Sequence, residues 1–366
     1  MLKLSIKPHW LLHRGSASHP LARLIELLHA IDEARSISAA AARLRVSYRH
    51  AWGLIRRASR EFGAPLLEMS RGRRATLSVL GLKLVEADQR IKARIAPLLD
   101  SLASELESEL ERSRNGSTPV LRVHASHGYA IELLRTFLAR RHVPLDLRYR
   151  GSMEALASLA GGDCEVAGFH APIGEMQGPV LRFYAKWLDP ERFVLVHLSV
   201  RRQGIMVAPG NPKAILELAD LCSPGVRFVN RQFGSGTRIL LDLLLKRAQV
   251  DSRGIDGYDS GEFTHSGVAA CIASGLADAG FGVETGARQF KLDFIPLLSE
   301  RYFLVCTRQM LATPTLKRIG DVLAAKQFRA EAAKLPALDV TEAGRVLSID
   351  EAFPELRTPR TPAAAR

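Results

Sequence analysis

The stretch SISAAAARLRVSYRHAWGLI, residues 36–55, decides how the N-terminal part of the chain folds. It holds two helical patterns that are separated by a break at Arg45. We expect Ser38 to cap the first helix and Ser47 to cap the second, because serine hydroxyls accept hydrogen bonds from the free N–H groups of a first helical turn. The tight turn places a non-glycine residue where positive φ is needed, which costs on the order of 1 kcal/mol.

The flanking sequence extends this pattern in both directions. Apolar residues at helical spacing from Leu21 to Ile31 predict an earlier helix that ends near Arg35. The segment PLLEMSRGRRATLS, residues 65–78, indicates two short strands around a basic tip. Helix, short helix, turn, helix and hairpin together predict a winged helix-turn-helix over residues 15–82.

The positive charge of the chain is concentrated in this domain. Of a net charge of +13, an excess of seven charges lies between Arg43 and Arg74. Such a patch is typical of a protein that binds the DNA backbone. The alternative interpretation is that the arginines form the solvated face of a helical bundle. The second helix of a helix-turn-helix reads base edges from its first residues, and later arginines and the wing meet phosphates. The candidate DNA-binding residues are Ser47, Tyr48, Arg49, His50, Arg56, Arg57, Arg60, Arg71, Arg73 and Arg74.

A long helix follows from Thr76, with a linker or dimerisation part over residues 83–113. Its apolar seam continues for about eight turns, longer than the small domain before it needs. We therefore expect a homodimer, or a tetramer, that presents two recognition helices to a palindromic double-stranded operator. The seam consists of Leu80, Leu84, Ile91, Ile95, Leu98, Leu102, Leu106 and Leu110.

The motifs SISAAAARLRVSYRHAWGLI, FGAPLL and TLSVLG make the N-terminal third similar to the DNA-binding domain of ModE-type molybdenum-responsive regulators. These regulators are themselves similar to LysR-type regulators. The resemblance covers residues 18–112 and implies a transcriptional regulator. The wing RGRR is shorter than the glycine-rich wing of that family, so the resemblance does not extend to the operator sequence.

A Gly/Ser/Pro break at residues 114–119 separates this region from a different pattern. Beyond the break, strand and helix patterns alternate twice in βαβαβ order, which predicts parallel sheets with ligands at the carboxyl ends of their strands. Two long strand-like runs, FVLVHLSV and FIPLLSERYFLVCT, indicate crossings between two lobes. The overall class is therefore α/β.

This second part resembles the type II periplasmic-binding-protein fold. The motifs GFHAP, WLDPER, VNRQFGSGTR and ADAGFGV are similar to the periplasmic-binding-protein-like domain related to molybdate-binding proteins. The domain covers residues 119–346. Lobe I takes residues 119–196 and 297–346, lobe II takes residues 197–296, and a tail at 354–366 is expected to be disordered.

The resemblance implies a ligand between the lobes, held by turns that precede helices. Hydroxyls and helix N-termini suit a tetrahedral oxyanion, whereas arginines favour a carboxylate or phosphate. Molybdate or tungstate is the effector that the resemblance implies, and a molybdenum-cofactor-like or organic anion is the alternative. No covalent cofactor and no metal site are expected. The candidate ligand-binding residues are Ser126, His127, Gly128, His170, Arg231, Gly234, Ser235, Gly236, Thr237, Arg238, Thr264 and His265.

The sequence contains no complete catalytic or nucleotide-binding motif that would indicate an enzyme. The GSGTR turn lacks the lysine of a nucleotide-binding loop, and GFGVETG misses dinucleotide-binding spacing by one residue. A regulator is therefore favoured over an enzyme with a DNA-binding head, and over an architectural DNA protein whose second domain is an oligomerisation platform. No apolar run is long enough to predict a membrane-spanning helix, and the first residues do not have the pattern of an export signal. We therefore expect a cytoplasmic protein with reduced cysteines.

Overall fold

A computed structural model describes residues 4–14, 16–69, 75–115 and 120–356 of the chain. It divides into two compact units. One unit is Lys7–Ile95, and the other contains the residues from Ala96 onward together with Met1–Ile6.

The first unit is a helical domain with two small hairpins. Its elements are strands β1 (Leu11–Arg14) and β2 (Ala17–Pro20), helices α1 (Ala22–Ala34), α2 (Ile37–Arg43) and α3 (Tyr48–Phe62), strands β3 (Leu67–Met69) and β4 (Ala75–Leu77), and helix α4 (Val79–Asn115), which continues into the second unit. The pair β3 and β4 is antiparallel and forms the predicted wing. The hairpin of β1 and β2 was not predicted from the sequence.

The turn between α2 and α3 has the geometry that the sequence predicts. The Ser47 hydroxyl accepts a hydrogen bond from the His50 backbone N–H at 3.1 Å. Arg45 has a φ of 54°, in the left-handed region. The prediction for Ser38 is wrong, because α2 begins at Ile37, two residues earlier than a Ser38 cap requires, and Ser36 accepts the capping bond from Ala39 at 3.3 Å.

The core of this unit joins all three helices to the wing. Leu28 and Ile31 of α1 are fully buried, and Ile55 of α3 packs in the same cluster. In the wing, Leu67 lies opposite Leu77. The wing tip, Ser70 to Arg74, carries the predicted residues Arg71, Arg73 and Arg74, and it lies outside the described residues.

The second unit is an α/β domain. Its elements are β5 (Leu121–Ala125), α5 (Tyr129–Arg140), β6 (Leu145–Tyr149), α6 (Ser152–Gly161), β7 (Val166–Pro172), α7 (Gln177–Tyr184), β8 (Phe193–Val207), β9 (Phe228–Arg231), α8 (Gly236–Arg247), β10 (Gly261–Glu262), α9 (His265–Ala273), β11 (Ala279–Val283), α10 (Glu284–Gln289), β12 (Asp293–Thr307), α11 (Arg308–Leu311), α12 (Pro314–Ala324), α13 (Lys326–Ala332), β13 (Leu338–Asp339), β14 (Val346–Ser348) and α14 (Ile349–Ala352). Short 3₁₀ turns complete it at Ala185–Trp187, Leu218–Cys222, Ser252–Gly254 and Pro354–Leu356.

One mixed sheet runs through both lobes in the order β10-β9-β11-β8-β12-β7-β5-β6. Strands β5, β6 and β7 are parallel in lobe I, and β9, β10 and β11 are parallel in lobe II. The strands β8 and β12 are antiparallel and pair with strands of both lobes. The two-lobed fold and its crossing strands are therefore as predicted.

Helix α4 lies along one edge of this sheet, where β6 is the last strand. The Ser104 hydroxyl donates to the Leu145 carbonyl oxygen at 3.3 Å and accepts from the Leu147 N–H at 2.9 Å. Ser101 accepts from the Tyr149 N–H at 3.1 Å. Two serines thus satisfy backbone groups that an edge strand would otherwise leave unpaired.

The predicted break and tail are only partly described. Helix α4 continues to Asn115, and residues 116–119 of the break lie outside the described residues. Near the C-terminus, Phe353 is fully buried and a 3₁₀ turn follows it. Residues 357–366 of the predicted disordered tail also lie outside the described residues.

Candidate functional site

Four helices begin around one cavity between the lobes of the α/β domain. Helices α5 and α6 belong to lobe I, and α8 and α9 belong to lobe II. The cavity has a volume of about 30 Å³. Its lining consists of Ser126, His127, Arg150, Gly151, Ser152, His170, Pro172, Val180, Tyr184, Arg201, Arg231, Gln232, Ser235, Gly236, Thr237, Leu240, Phe263, His265 and Glu300.

The helix N-termini are built in two ways. In lobe II, Ser235 caps α8 by accepting from the Arg238 N–H at 3.2 Å, and Thr264 caps α9 by accepting from the Gly267 N–H at 2.8 Å. In lobe I, the capping residues of α5 and α6 are Gly128 and Gly151, which have no side chain to occupy the free N–H groups. Free N–H groups and the positive ends of helices favour a negatively charged ligand.

Hydroxyl groups join these helix ends within and across the lobes. The Ser126 hydroxyl lies 3.0 Å from that of Ser152. Across the cleft, the Tyr129 hydroxyl of lobe I lies 2.9 Å from the Ser266 hydroxyl of lobe II. The two lobes are thus in direct hydrogen-bonded contact next to the cavity.

Two buried guanidinium groups face the cavity. Arg201 pairs with Glu300 through Nε, at 2.5 Å, and through Nη2. Arg231 donates from Nε to the Glu262 carbonyl oxygen at 3.2 Å and from Nη2 to the Phe263 carbonyl oxygen at 2.7 Å. In both arginines, Nη1 has no hydrogen-bond partner among the described residues.

The side chains that line the cavity include more guanidinium groups than carboxylates. Arg231 has no ion pair within the described part of the chain. Burial, and then the charge of Arg201, lower its pKa to about 9, although Glu300 and Glu262 lie near enough to oppose this shift. Burial, and then Arg231, lower the pKa of His127 to about 3. His170 and His265 are lowered well below their usual pKa, by burial first and then by the two arginines. The histidines are therefore neutral at pH 7, and the arginines supply the positive charge.

Most of the predicted ligand-binding residues come together at this cavity. Those that line it are Ser126, His127, His170, Arg231, Ser235, Gly236, Thr237 and His265. Gly128 and Thr264 are capping residues directly behind the lining. Gly234 forms the turn before α8 with a φ of 78°.

Arg238 does not line the cavity. Its Nε donates to Asp242 at 3.0 Å and its Nη1 donates to the Tyr258 carbonyl oxygen at 3.0 Å. The guanidinium carbon also lies 3.9 Å from the centre of the Tyr258 ring. This side chain fixes α8 to its own lobe.

The sequence analysis missed Arg201 and Glu300, which come from the crossing strands. The two residues are opposite each other in the ladder between β8 and β12. A signal was present, because Arg201, Arg202 and Gln203 interrupt a strand that is otherwise apolar. Buried charged residues in such a strand need partners, and a ligand can be one of them.

The second candidate site is the exposed face of α3. Tyr48 is 51% exposed, and Arg49 and His50 beside it are also exposed. Arg56, Arg57 and Arg60 are exposed one to three turns later, while the opposite face packs through Ala51, Ile55 and Ala58. None of these four arginines forms an ion pair with a described residue. Their charge is therefore available to the phosphates of DNA.

Two further observations bear on ligands and membranes. Within residues 4–14, 16–69, 75–115 and 120–356, no three histidine, cysteine or acidic side chains are grouped closely enough to hold a metal ion. No helix in the same ranges has the length and apolar character that crossing a membrane requires.

Two family models match the chain. The PBP superfamily domain matches residues 135–324, and the bacterial regulatory helix-turn-helix protein of the lysR family matches residues 22–82. The uncharacterized protein YvgK of Bacillus subtilis (strain 168) is 28% identical over 281 residues, which cover 75% of this chain and 87% of the relative. An uncharacterized protein from the 5′ region of a ferredoxin 2Fe-2S gene of Clostridium pasteurianum is 36% identical over 111 residues, which cover 30% of this chain and 98% of the relative.

Among solved structures, a hydrogen-peroxide-bound OxyR mutant of Corynebacterium glutamicum aligns with a TM-score of 0.43 at 17% identity, over 86% of this chain and 94% of that one. LysG of the same organism aligns with a TM-score of 0.38 at 19% identity, over 81% and 94%. The family matches agree with the two units of the structure. The chain therefore belongs to the PBP superfamily and is a DNA-binding regulator with a LysR-type helix-turn-helix domain and a ligand-binding PBP-like domain.

Proposed function

We propose that this regulator senses a small anion in the cavity between its lobes, and that occupancy of the cavity changes its affinity for a double-stranded DNA operator. One observation carries the proposal. The guanidinium groups of Arg201 and Arg231 are both buried at the cavity, and Glu300 is the single carboxylate that lines it with them. A negative ligand would balance the excess of guanidinium groups over carboxylates in the lining.

The size of the cavity favours a small ligand. One water molecule needs roughly 10–15 Å³ of comparable volume, so 30 Å³ holds a few heavy atoms. A molybdenum-cofactor-like effector would have to separate the lobes, and the bond between Tyr129 and Ser266 opposes that movement. Molybdate and tungstate, which the sequence resemblance suggests, are the first candidates to test, together with other small oxyanions and carboxylates.

Oligomerisation is the second part of the proposal. Leu98, Leu102, Leu106 and Leu110 follow each other at four-residue intervals on α4 and are 36–59% exposed. Their opposite face is occupied by β6, through Ser101 and Ser104. A second copy of the helix would bury the leucine stripe in a homodimer, and two such dimers could form a tetramer.

Anion binding is tested by thermal unfolding of the full chain with a panel of molybdate, tungstate, sulfate, hydrogen phosphate, acetate and glycolate. The variant Arg231→Gln should lose the stabilisation that the best anion produces, because it removes the unpaired buried charge. Arg238→Gln is the matched control, since this buried arginine lies seven residues later, in the first turn of α8, but contacts Asp242 and Tyr258. Equal shifts in wild type and Arg231→Gln would remove the cavity from the proposal.

Regulation is tested by DNA binding with and without the anion that stabilises the protein most. Operator affinity should change at anion concentrations that match the thermal response. If no anion alters either unfolding or DNA affinity, the α/β domain is better explained as an oligomerisation platform. Turnover of an added compound would instead favour an enzyme with a DNA-binding head.

A further inference from the structure

We infer that Glu300 selects an anion that carries its own hydrogen-bond donor, such as hydrogen phosphate or a hydroxy- or aminocarboxylate. This inference rests on the proposed anion site and defines the chemical class of its ligand.

The two carboxylate oxygens of Glu300 have different environments. Oε1 accepts from Arg201 Nε at 2.5 Å, from Arg201 Nη2, and from Gln203 Nε2 at 2.9 Å. Within the described part of the chain, Oε2 accepts no hydrogen bond. Three donors on one oxygen fix the orientation of the carboxyl group, so the second oxygen remains as a fixed acceptor.

Glu300 and Arg201 line the same cavity and are in contact with each other. An anion that reaches the open Nη1 of Arg201 therefore comes close to the carboxylate. An oxyanion without hydrogens would place negative oxygen near negative oxygen, which is unfavourable in a buried site. A ligand with a hydroxyl or N–H group can donate to Oε2 and keep its charged end for the arginines.

His170 supplies a further polar atom at the cavity that is compatible with such a ligand. Its side chain is buried, lines the cavity and stacks on Tyr302 with ring centres 3.9 Å apart. Its Nε2 atom has no hydrogen-bond partner among the described residues. In a neutral imidazole Nε2 either donates or accepts, depending on the tautomer, so it can pair with an oxygen of the anion or with a hydroxyl or N–H group of the ligand.

The test compares ligands that differ chiefly in this donor, on the full wild-type chain at neutral pH by calorimetric titration. Hydrogen phosphate should bind more tightly than sulfate, and glycolate more tightly than acetate, by about 100-fold or more in the better pair, because a site with a buried acceptor rejects an analogue that cannot pair with it. The pair with the larger discrimination distinguishes a phosphate ligand from a hydroxycarboxylate. Molybdate, which carries no hydrogen at neutral pH, should follow sulfate.

The variant Glu300→Gln replaces the fixed acceptor by an amide and should bring the two members of the discriminating pair to within a few-fold of each other. Glu284→Gln is the control, because Glu284 is a buried carboxylate that pairs with Arg202 and Arg288 and does not line the cavity. It should retain the wild-type preference.

The outcomes separate this inference from the proposed function. Sulfate or molybdate binding to wild type as tightly as hydrogen phosphate, with acetate equal to glycolate, would overturn the role of Glu300 and leave the anion site standing. If none of these anions binds, both are overturned. The wild-type comparison decides the matter even if Glu300→Gln does not fold.

Discussion

Ser104 on helix α4 accepts a hydrogen bond from the backbone N–H of Leu147 at 2.9 Å, which makes the linker helix part of the ligand-binding domain. Leu147 lies two residues before Tyr149, whose ring makes an edge-to-face contact with His127 at 5.0 Å between centres. His127 lines the cavity. Helix α4 and the cavity are thus separated by one strand and one ring contact.

Replacing Ser104 should destabilise the α/β domain and weaken its response to the ligand. Ser104→Ala leaves the Leu147 N–H unpaired, which costs about 1 kcal/mol and lowers the melting temperature by about 2–4 °C. Ser113→Ala is the control on the same helix, since the Ser113 hydroxyl donates only to the Glu109 carbonyl oxygen. An unchanged ligand effect on DNA affinity in Ser104→Ala would exclude this serine from the coupling.

Arg49→Ala should weaken binding to an operator selected from random DNA and relax the preference at one base position. The residue is exposed at the start of α3, where recognition helices meet base edges, and a base contact contributes about 1–3 kcal/mol. Arg23→Ala is the control, because Arg23 is exposed on α1 and pairs with Glu26 at 3.1 Å. If only the salt dependence of binding changes, Arg49 contacts phosphate instead.

The double substitution of Leu102 and Leu106 by glutamate should convert the proposed homodimer to a monomer, as measured by light scattering. These side chains are 44% and 42% exposed and lie one turn apart on the free face of α4. Like charges at both positions would repel across a two-fold interface. Leu216→Glu, which alters a leucine that is 71% exposed elsewhere, should leave the mass unchanged.

Stability should fall as the pH is lowered below about 6.5. The pKa of His127 is about 3 in the folded protein and 6.5 in its unperturbed state, so the unfolded chain takes up a proton that the folded chain refuses between these values. Each such histidine removes up to about 1.4 kcal/mol of stability per pH unit in that window. His127→Gln should therefore reduce the slope of melting temperature against pH.

The exposed His142 supplies the control for this experiment. His142→Asn should keep the wild-type slope, since asparagine tolerates the φ of 53° at this position. A slope that His127→Gln leaves unchanged would exclude His127 and assign the acid sensitivity to the other histidines whose pKa is lowered, which are His124, His170, His197 and His265.

Local patterns allowed much of the fold to be predicted. The cap at Ser47 and the positive φ at Arg45 depend on neighbours within a few residues, and the alternating strands and helices have their own periodicity. The hairpin of β1 and β2 was missed because two four-residue strands of mixed polarity carry no clear alternation. Ser36 and Ser38 are both serines at the start of the same helical pattern, so the sequence alone does not show which of them caps α2. Backbone geometry decides in favour of Ser36.

The sequence analysis predicted the site residues that lie in turns before helices, and it missed those that lie on the crossing strands. The segment from Arg231 to Thr237 could be recognised from the sequence, because its glycine and hydroxyl residues come directly before an apolar helix. Arg201 and Glu300 are 99 residues apart and meet because of the register between β8 and β12. Register depends on the whole sheet, and no local pattern specifies it.

The two crossing strands also determine how the lobes can move. Strands β8 and β12 are each 15 residues long and pair with each other, β8 also pairs with β11 of lobe II, and β12 also pairs with β7 of lobe I. The two lobes are therefore joined by a continuous ladder. Opening the cleft must bend this ladder, which has register shifts between Pro296 and Leu298 and between Tyr302 and Phe303. Any movement that separates the lobes would therefore change the backbone of both crossing strands.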